Sequence, residues 1–153
     1  MQKSQFVYVT YIRTTPERLW QALTAPEFTQ RYWMQTRQES DWKPGSPWRA
    51  LAPDGTPIIT GQVVEIDHPR RLVLTWRGDK SAEQKAEGYA RCTYLIEPQG
   101  SMVKFTVQHE IDVANSKTIS SVSGGWPLVL ASLKSLLETG EPLEGTSQFT
   151  PCK

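Results

Sequence analysis

The chain has few of the residues that build disulfide frameworks and metal centres. It contains two cysteines and two histidines among 153 residues, and Cys152 lies next to the C-terminal residue. The positions of Cys92, Cys152, His68 and His109 match none of the short ligand spacings of structural metal sites. We therefore expect no disulfide framework and no bound metal, and a reducing cytoplasm is the simplest location.

An excess of one charge and a long apolar run are also lacking. Lys and Arg number 17 against 16 Asp and Glu, giving a formal net charge of +1, and the basic residues are scattered. Nucleic acids and anionic membranes normally select clustered basic charge, so neither is expected as a partner. No apolar stretch approaches the roughly 18 residues that span a bilayer, and no leader segment is recognisable. The length predicts a single domain over residues 1–140 and a loosely held tail over 141–153.

Aromatic side chains, in contrast, are plentiful: six Trp, five Tyr and four Phe. The first of them lie in a period-two pattern over residues 6–14, which predicts a strand. Thr15 followed by Pro16 is typical of an N-cap with proline at the first helical position, and Pro26 repeats this start. Two short helices are therefore expected after the first strand.

The middle of the chain is typical of strands separated by turns. Predicted strands cover residues 34–38, 48–51, 58–67, 71–77, 89–97 and 102–111. Gly61 is expected to mark a bulge or a sharp bend in its strand. The polar residues 78–88 show no apolar period, and we interpret them as a solvated loop.

The strongest helical pattern lies near the C-terminus. Its apolar residues recur with helical spacing at Trp126, Leu130, Leu133 and Leu137. They predict a helix from Trp126 to Thr139, with Gly124 and Gly125 as its entry; an earlier start would require Pro127 to bend it. Short connections between strands, followed by one amphipathic helix, predict an α+β fold in which a curved antiparallel sheet of about seven strands wraps around the long C-terminal helix.

Period two also predicts which side chains face that helix. The candidate ligand-binding residues on this face are Tyr8, Trp48, Trp76, Tyr94, Phe105, His109, Trp126 and Leu130. They either fill a closed core or leave a gap of ligand size. In a gap, the tyrosine hydroxyls, the indole N–H groups and the imidazole would orient a carbonyl or hydroxyl group of the ligand.

Two candidate reactive groups lie on neighbouring predicted strands. His109 is either satisfied by a nearby hydroxyl or carbonyl, or acts as a general acid or base near the cavity mouth. Cys92 would be a nucleophile only if His109 activated it, and an inward cysteine on a strand is usually a small buried hydrophobe. Gly124 and Gly125 lack the lysine of a phosphate-binding loop, so no nucleotide or other cofactor is expected.

Three segments together carry a resemblance to a known family. They are the strand end and first helix at residues 12–24, the segment 61–76 that ends in Leu-Val-Leu-Thr-Trp, and the helix at 125–140 that contains Leu-Lys-Ser-Leu-Leu-Glu-Thr-Gly. In this order, over residues 6–140, the chain resembles the START and birch-pollen-allergen superfamily (SRPBCC). Within it, the chain is most similar to the branch related to the activator of the heat-shock chaperone ATPase (AHSA type).

This resemblance implies a helix-grip fold with a cavity between the sheet and the long helix. In different branches that cavity holds lipids, steroids, polyketides or other apolar molecules. Our leading prediction is therefore the binding of a small hydrophobic or aromatic ligand, without catalysis. The alternatives are a chaperone-activating interaction module of a stress response, and a cyclase or hydrolase in which Tyr94 or His109 handles protons. The protein is expected to be a monomer or a homodimer.

Overall fold

The computed structural model describes residues 3–143, and its elements follow the predicted order. Two short helices come after the first strand, further strands follow, and a long helix ends the described chain. The elements are β1 Ser4–Ile12, α1 Pro16–Thr24, α2 Pro26–Tyr32, β2 Arg37–Ser40, β3 Pro47–Leu51, β4 Pro57–Asp67, β5 Arg71–Gly78, α3 Ala82–Glu87, β6 Ala90–Gln99, β7 Met102–Ile111 and α4 Lys117–Thr139.

Seven strands form one antiparallel sheet in the order β1-β7-β6-β5-β4-β3-β2. The first and last strands lie side by side, with Ser4 opposite Ile111 and Ile12 opposite Val103. Helices α1 and α2 carry the chain from β1 to the far edge of the sheet at β2. The sheet is curved, and α4 packs against β1 and β7. The predicted α+β helix-grip fold is confirmed.

The two short helices are placed by the signals that predicted them. The Thr15 hydroxyl accepts a hydrogen bond from the Arg18 amide (3.2 Å) and caps α1. Leu19 and Leu23 lie on the buried face of α1. The buried Tyr32 hydroxyl at the end of α2 donates to the Ala22 carbonyl (2.9 Å), which fastens α2 to α1. This contact fixes the position of the chain that follows α2.

Residues 78–88 are not the solvated loop that their polarity predicted. They contain α3, whose N-cap Ser81 accepts a hydrogen bond from the Gln84 amide (3.2 Å). Gln84 is buried, with 7% of its surface exposed, whereas Glu83 and Lys85 beside it are exposed. The prediction was wrong because the inward residue of α3 is a glutamine, so the sequence shows no apolar period.

Helix α4 begins at Lys117 rather than at Trp126, so Gly124 and Gly125 lie inside the helix and are not its entry. Its start is capped by the Ser116 hydroxyl, which accepts from the Ile119 amide (3.1 Å). Within residues 3–143, neither α4 nor any other helix combines the length and apolar character that crossing a membrane requires.

A carboxylate from α3 completes this cap. Glu87 accepts hydrogen bonds from the Ser116 hydroxyl (2.7 Å) and from the amides of Lys117 (2.6 Å) and Thr118 (3.1 Å). These groups are separated from Glu87 by some thirty residues of sequence. No local pattern could therefore predict where α4 begins.

Gly61 permits a close approach of three strands and is not itself the bulge. The shift in the pairing of β4 with β5 lies between Val63 and Glu65. Gly61 faces Trp48 on β3, and the Trp48 indole N–H donates to the Thr75 carbonyl on β5 (2.6 Å). A Cβ atom on Gly61 would overlap both the Thr75 carbonyl and the indole nitrogen, so only glycine fits there.

Candidate functional site

The structure brings many of the predicted binding residues into one buried aromatic cluster. The Trp76 ring lies 4.9 Å from His109, 5.1 Å from Trp48 and 5.6 Å from Trp126, measured between ring centroids. Trp48, Trp76 and His109 come from β3, β5 and β7, which alternate with β4 and β6 in the sheet, and Trp126 comes from α4. The period-two grouping therefore placed these side chains on the correct face.

The remaining predicted residues extend this cluster along the sheet. Tyr94 lies 5.8 Å from Phe105 and 6.0 Å from Trp126, measured between ring centroids. Leu130 is buried on α4, and Tyr8 is half-buried on β1. All of them belong to, or pack against, the hydrophobic core.

A cavity of about 150 Å³ lies next to the cluster. Of the predicted binding residues, Trp76 and Trp126 line it. The others lie behind or beyond this wall, and their contact with a ligand stays a prediction: Tyr8, Trp48, Tyr94, Phe105, His109 and Leu130.

Much of the wall comes from residues that the sequence pattern did not select. They lie in the connection after α2, on β4 and on α4. Its apolar lining includes Trp33, Met34, Ile58, Ile59, Val122 and Val129. Two of these, Ile58 and Ile59, are neighbours on one strand, so a strict period-two assignment places them on opposite faces.

Trp33 is the main residue that sequence reasoning missed. Its ring centroid lies 5.0 Å from that of Trp126 and 6.0 Å from that of Trp76, so the three indoles border one space. Trp33 directly follows α2 as its C-cap, and Met34 and Gln35 after it have φ angles of 52° and 61°. This left-handed turn delays β2, predicted at residues 34–38, until Arg37. Neither the helical nor the strand period applies in such a turn. The one sequence feature that could have indicated Trp33 is its position next to Tyr32 at the end of the helix.

Polar residues also line the cavity: Thr36 lies before β2, Ser121 lies on α4, and the others lie in and around α3. Gln84 is buried there, and its side chain lines the cavity. The carboxamide oxygen lies over Gly78, where a Cβ atom would collide with it. Lys80 is exposed and lines the same side, as does Ser81. The cavity thus has an aromatic wall and a polar rim.

His109 is a buried, neutral residue and does not line the cavity. Its Nδ1 accepts a hydrogen bond from the Trp126 indole N–H (3.2 Å), so the partner is an indole and not the predicted hydroxyl or carbonyl. Burial lowers the pKa of His109 to about 3. The proton of the neutral ring is therefore on Nε2, which has no partner within the described residues. His109 holds the Trp126 indole in place.

The other titratable groups of the cluster are neutral as well. Burial raises the pKa of the Cys92 thiol and that of the neighbouring Tyr94 hydroxyl. Neither group is prepared to act as a base or a nucleophile near neutral pH. Among residues 3–143, no three side chains of the types that ligate metals converge on one point.

Solved structures of other proteins share this fold. An HSP90 activator from Plasmodium falciparum is 21% identical, with a TM-score of 0.71 over 87% of this chain and 95% of that one. The Aha1 dimer from Colwellia psychrerythraea is 17% identical, with a TM-score of 0.72 over 90% and 98%. DynU16, a protein of the dynemicin biosynthetic locus, is 16% identical, with a TM-score of 0.74 over 90% of this chain and 48% of that one.

The sequence itself matches a family model but no protein with a curated description. The matching model describes the activator of Hsp90 ATPase homolog 1-like proteins, and the match covers residues 13–138. This range begins directly after β1, extends almost to the end of α4 and includes every residue of the cavity wall named above. The chain therefore belongs to the AHSA1 family.

Proposed function

We propose that this protein binds one compact aromatic or apolar molecule in the cavity beside α4, in the cytoplasm. The observation that carries the proposal is the cavity of about 150 Å³ bordered by Trp33, Trp76 and Trp126. An apolar cavity of about this volume accommodates one benzene ring. Indole faces and edges also favour aromatic neighbours beyond the gain from buried area alone.

The volume limits the size of the ligand. Pockets for drug-sized molecules measure about 300–1,000 Å³, so a cavity of about 150 Å³ fits a smaller molecule. Lipids and steroids, which related branches bind, would require the wall to open. A ring of six carbon atoms has a ceiling near −9 kcal/mol, at about −1.5 kcal/mol for each non-hydrogen atom. The titration range is therefore micromolar to millimolar.

A cavity-filling variant tests this proposal. Toluene, phenol and cyclohexane are titrated while tryptophan fluorescence is recorded, because three indoles border the site. Val122→Phe adds a ring at the cavity wall and should weaken binding at least tenfold, whereas Leu128→Phe on the exposed side of α4 should leave it unchanged. A wild-type protein that responds to none of these compounds up to their solubility contradicts the proposal.

Family membership favours a second candidate function. The match to the activator of Hsp90 ATPase homolog 1-like model supports a chaperone-activating role, in line with the chaperone prediction from sequence. Adding the full chain to the Hsp90-type chaperone of its own cell should then raise the ATPase rate severalfold. An unchanged rate at a saturating concentration contradicts this role and leaves ligand binding unaffected.

The enzymatic alternative has less support. Tyr94 and His109, the groups that would handle protons, are neutral and lie outside the cavity lining. Whether the protein is a monomer or a homodimer stays a prediction, which light scattering in solution would test.

A further inference from the structure

We propose that the ligand is an aromatic acid, with its ring among the indoles and its carboxylate bound by Lys80 and Gln84. This inference rests on the proposed function and specifies the chemistry of its ligand. It is carried by two side chains that line the cavity, one the carboxamide of a buried residue and the other a cation. The sequence pattern selected neither of them.

Gln84 is the first of these groups. It is 93% buried, since 7% of its surface is exposed, and it lines the cavity. Its backbone amide is bound to the Ser81 hydroxyl, and its carboxamide is a second polar group of the cavity lining. The NH₂ group of the carboxamide can donate a hydrogen bond to a ligand oxygen in the cavity.

Lys80 supplies the charge. It is the one ionisable side chain among the residues that line the cavity, and no acidic side chain accompanies it there. Lys80 forms no ion pair within the described residues; its charge acts on Asp54, an exposed carboxylate that already accepts from the Thr56 amide (2.9 Å). The rim is therefore positive, which favours an anionic ligand and disfavours an amine.

The two groups and the aromatic wall fit one small molecule. Lys80 and Gln84 are four positions apart around the start of α3, and both line the same cavity as the apolar wall. A ring of six carbons fills a space of about 150 Å³, which leaves the acid group at the polar rim. An ammonium and an amide N–H both donate to carboxylate oxygens, and the charged hydrogen bond is the stronger of the two.

Benzoate and benzyl alcohol are the probes that test the inference, because they are of similar size and differ in charge. Calorimetric titrations compare the wild type with Lys80→Met and with Lys85→Met, which removes an exposed lysine of α3. We expect the wild type and Lys85→Met to bind benzoate about tenfold more tightly than benzyl alcohol, the scale of one charged hydrogen bond at a rim. Lys80→Met should lose this preference while its affinity for benzyl alcohol is unchanged.

Other results would overturn the inference in distinguishable ways. If benzyl alcohol binds as tightly as benzoate, the cavity binds ligands but selects no acid, and the proposed function stands. If both lysine variants weaken benzoate equally, the effect is one of overall charge and not of this site. If neither probe binds, the proposed function fails together with the inference. Gln84→Leu, which keeps the side-chain size, should also reduce the preference for benzoate.

Discussion

At the scale of single residues, His109 should make stability depend on pH. Its pKa of about 3 in the folded protein lies below the unfolded value of 6.5. The folded state thus binds fewer protons, and its stability is full above pH 6.5 and decreases as the pH falls towards the folded pKa. Each pH unit within this range costs up to about 1.4 kcal/mol. Between about pH 6.5 and 5 most carboxylates stay ionised, so the imidazole dominates there.

Urea unfolding across that interval measures the effect. His109→Gln should flatten the dependence of the unfolding free energy on pH. His68→Gln is the matched control, because His68 is exposed and is the only other histidine. A His109→Gln protein that retains the wild-type slope would show that another group titrates.

Two glycines should respond in opposite directions to the same substitution. Gly61→Ala places a Cβ atom against the Thr75 carbonyl and the Trp48 indole, and overpacking of this kind costs about 1–3 kcal/mol. Gly124→Ala lies inside α4, where a Cβ atom meets no neighbour within 4 Å. Alanine there should stabilise the protein by about 0.5–1 kcal/mol. Thermal unfolding measures both, and equal effects would contradict this account of Gly61.

Residue patterns predicted the core better than they predicted the cavity. Trp76 and His109 lie on regular strands, where alternation determines the inward face, and both were assigned correctly. Trp33 lies in a left-handed turn, and Gln84 is a polar residue on a short helix. Both help to form the cavity wall, but neither carries an apolar period that a sequence could reveal.

At the scale of elements, Glu87 should control the start of α4. Partial burial alone would raise the pKa of Glu87, but hydrogen bonds from Lys117, Ser116 and Thr118 outweigh it and hold the pKa below its usual value. A carboxylate at this helix start also interacts favourably with the helix dipole. Glu87→Gln should therefore destabilise the protein by about 1 kcal/mol near pH 7.

The pH dependence of this loss separates charge from packing. The Glu87 contribution is present above its unfolded pKa of 4.5 and disappears as the pH falls through the lower folded pKa. The difference between wild type and Glu87→Gln in urea unfolding should thus shrink below pH 4.5. Glu83→Gln, an exposed change in the same helix, should have little effect at any pH. A difference that persists in acid contradicts the assignment.

The same contact explains why the start of α4 was predicted wrongly. The apolar stripe begins at Trp126, so the sequence predicted a helix from there. The first turns of α4 depend on Ser116 and on a carboxylate from a distant helix. Contacts between elements are invisible to local periodicity, whereas the Thr15 cap of α1, which is local, was predicted correctly.

At the scale of the whole molecule, the order of the elements predicted the fold but did not predict whether the core contains a cavity. One strand, two short helices, a set of strands and an amphipathic helix predicted the sheet that wraps around α4. The same sequence was compatible with a filled core or with a gap. The structure has a gap, because the indoles border a space that they do not fill. Their positions depend on the Tyr32 and His109 hydrogen bonds and on the turn at Met34.

Crystals exposed to bromobenzene test the central claim most directly, because bromine is located by its anomalous scattering. The account predicts one strong anomalous peak in the space bordered by Trp33, Trp76 and Trp126, with the indoles in the positions described. Crystals of Val122→Phe should show no such peak. Wild-type crystals without a peak in that space, in which the indoles have closed together, would contradict the claim.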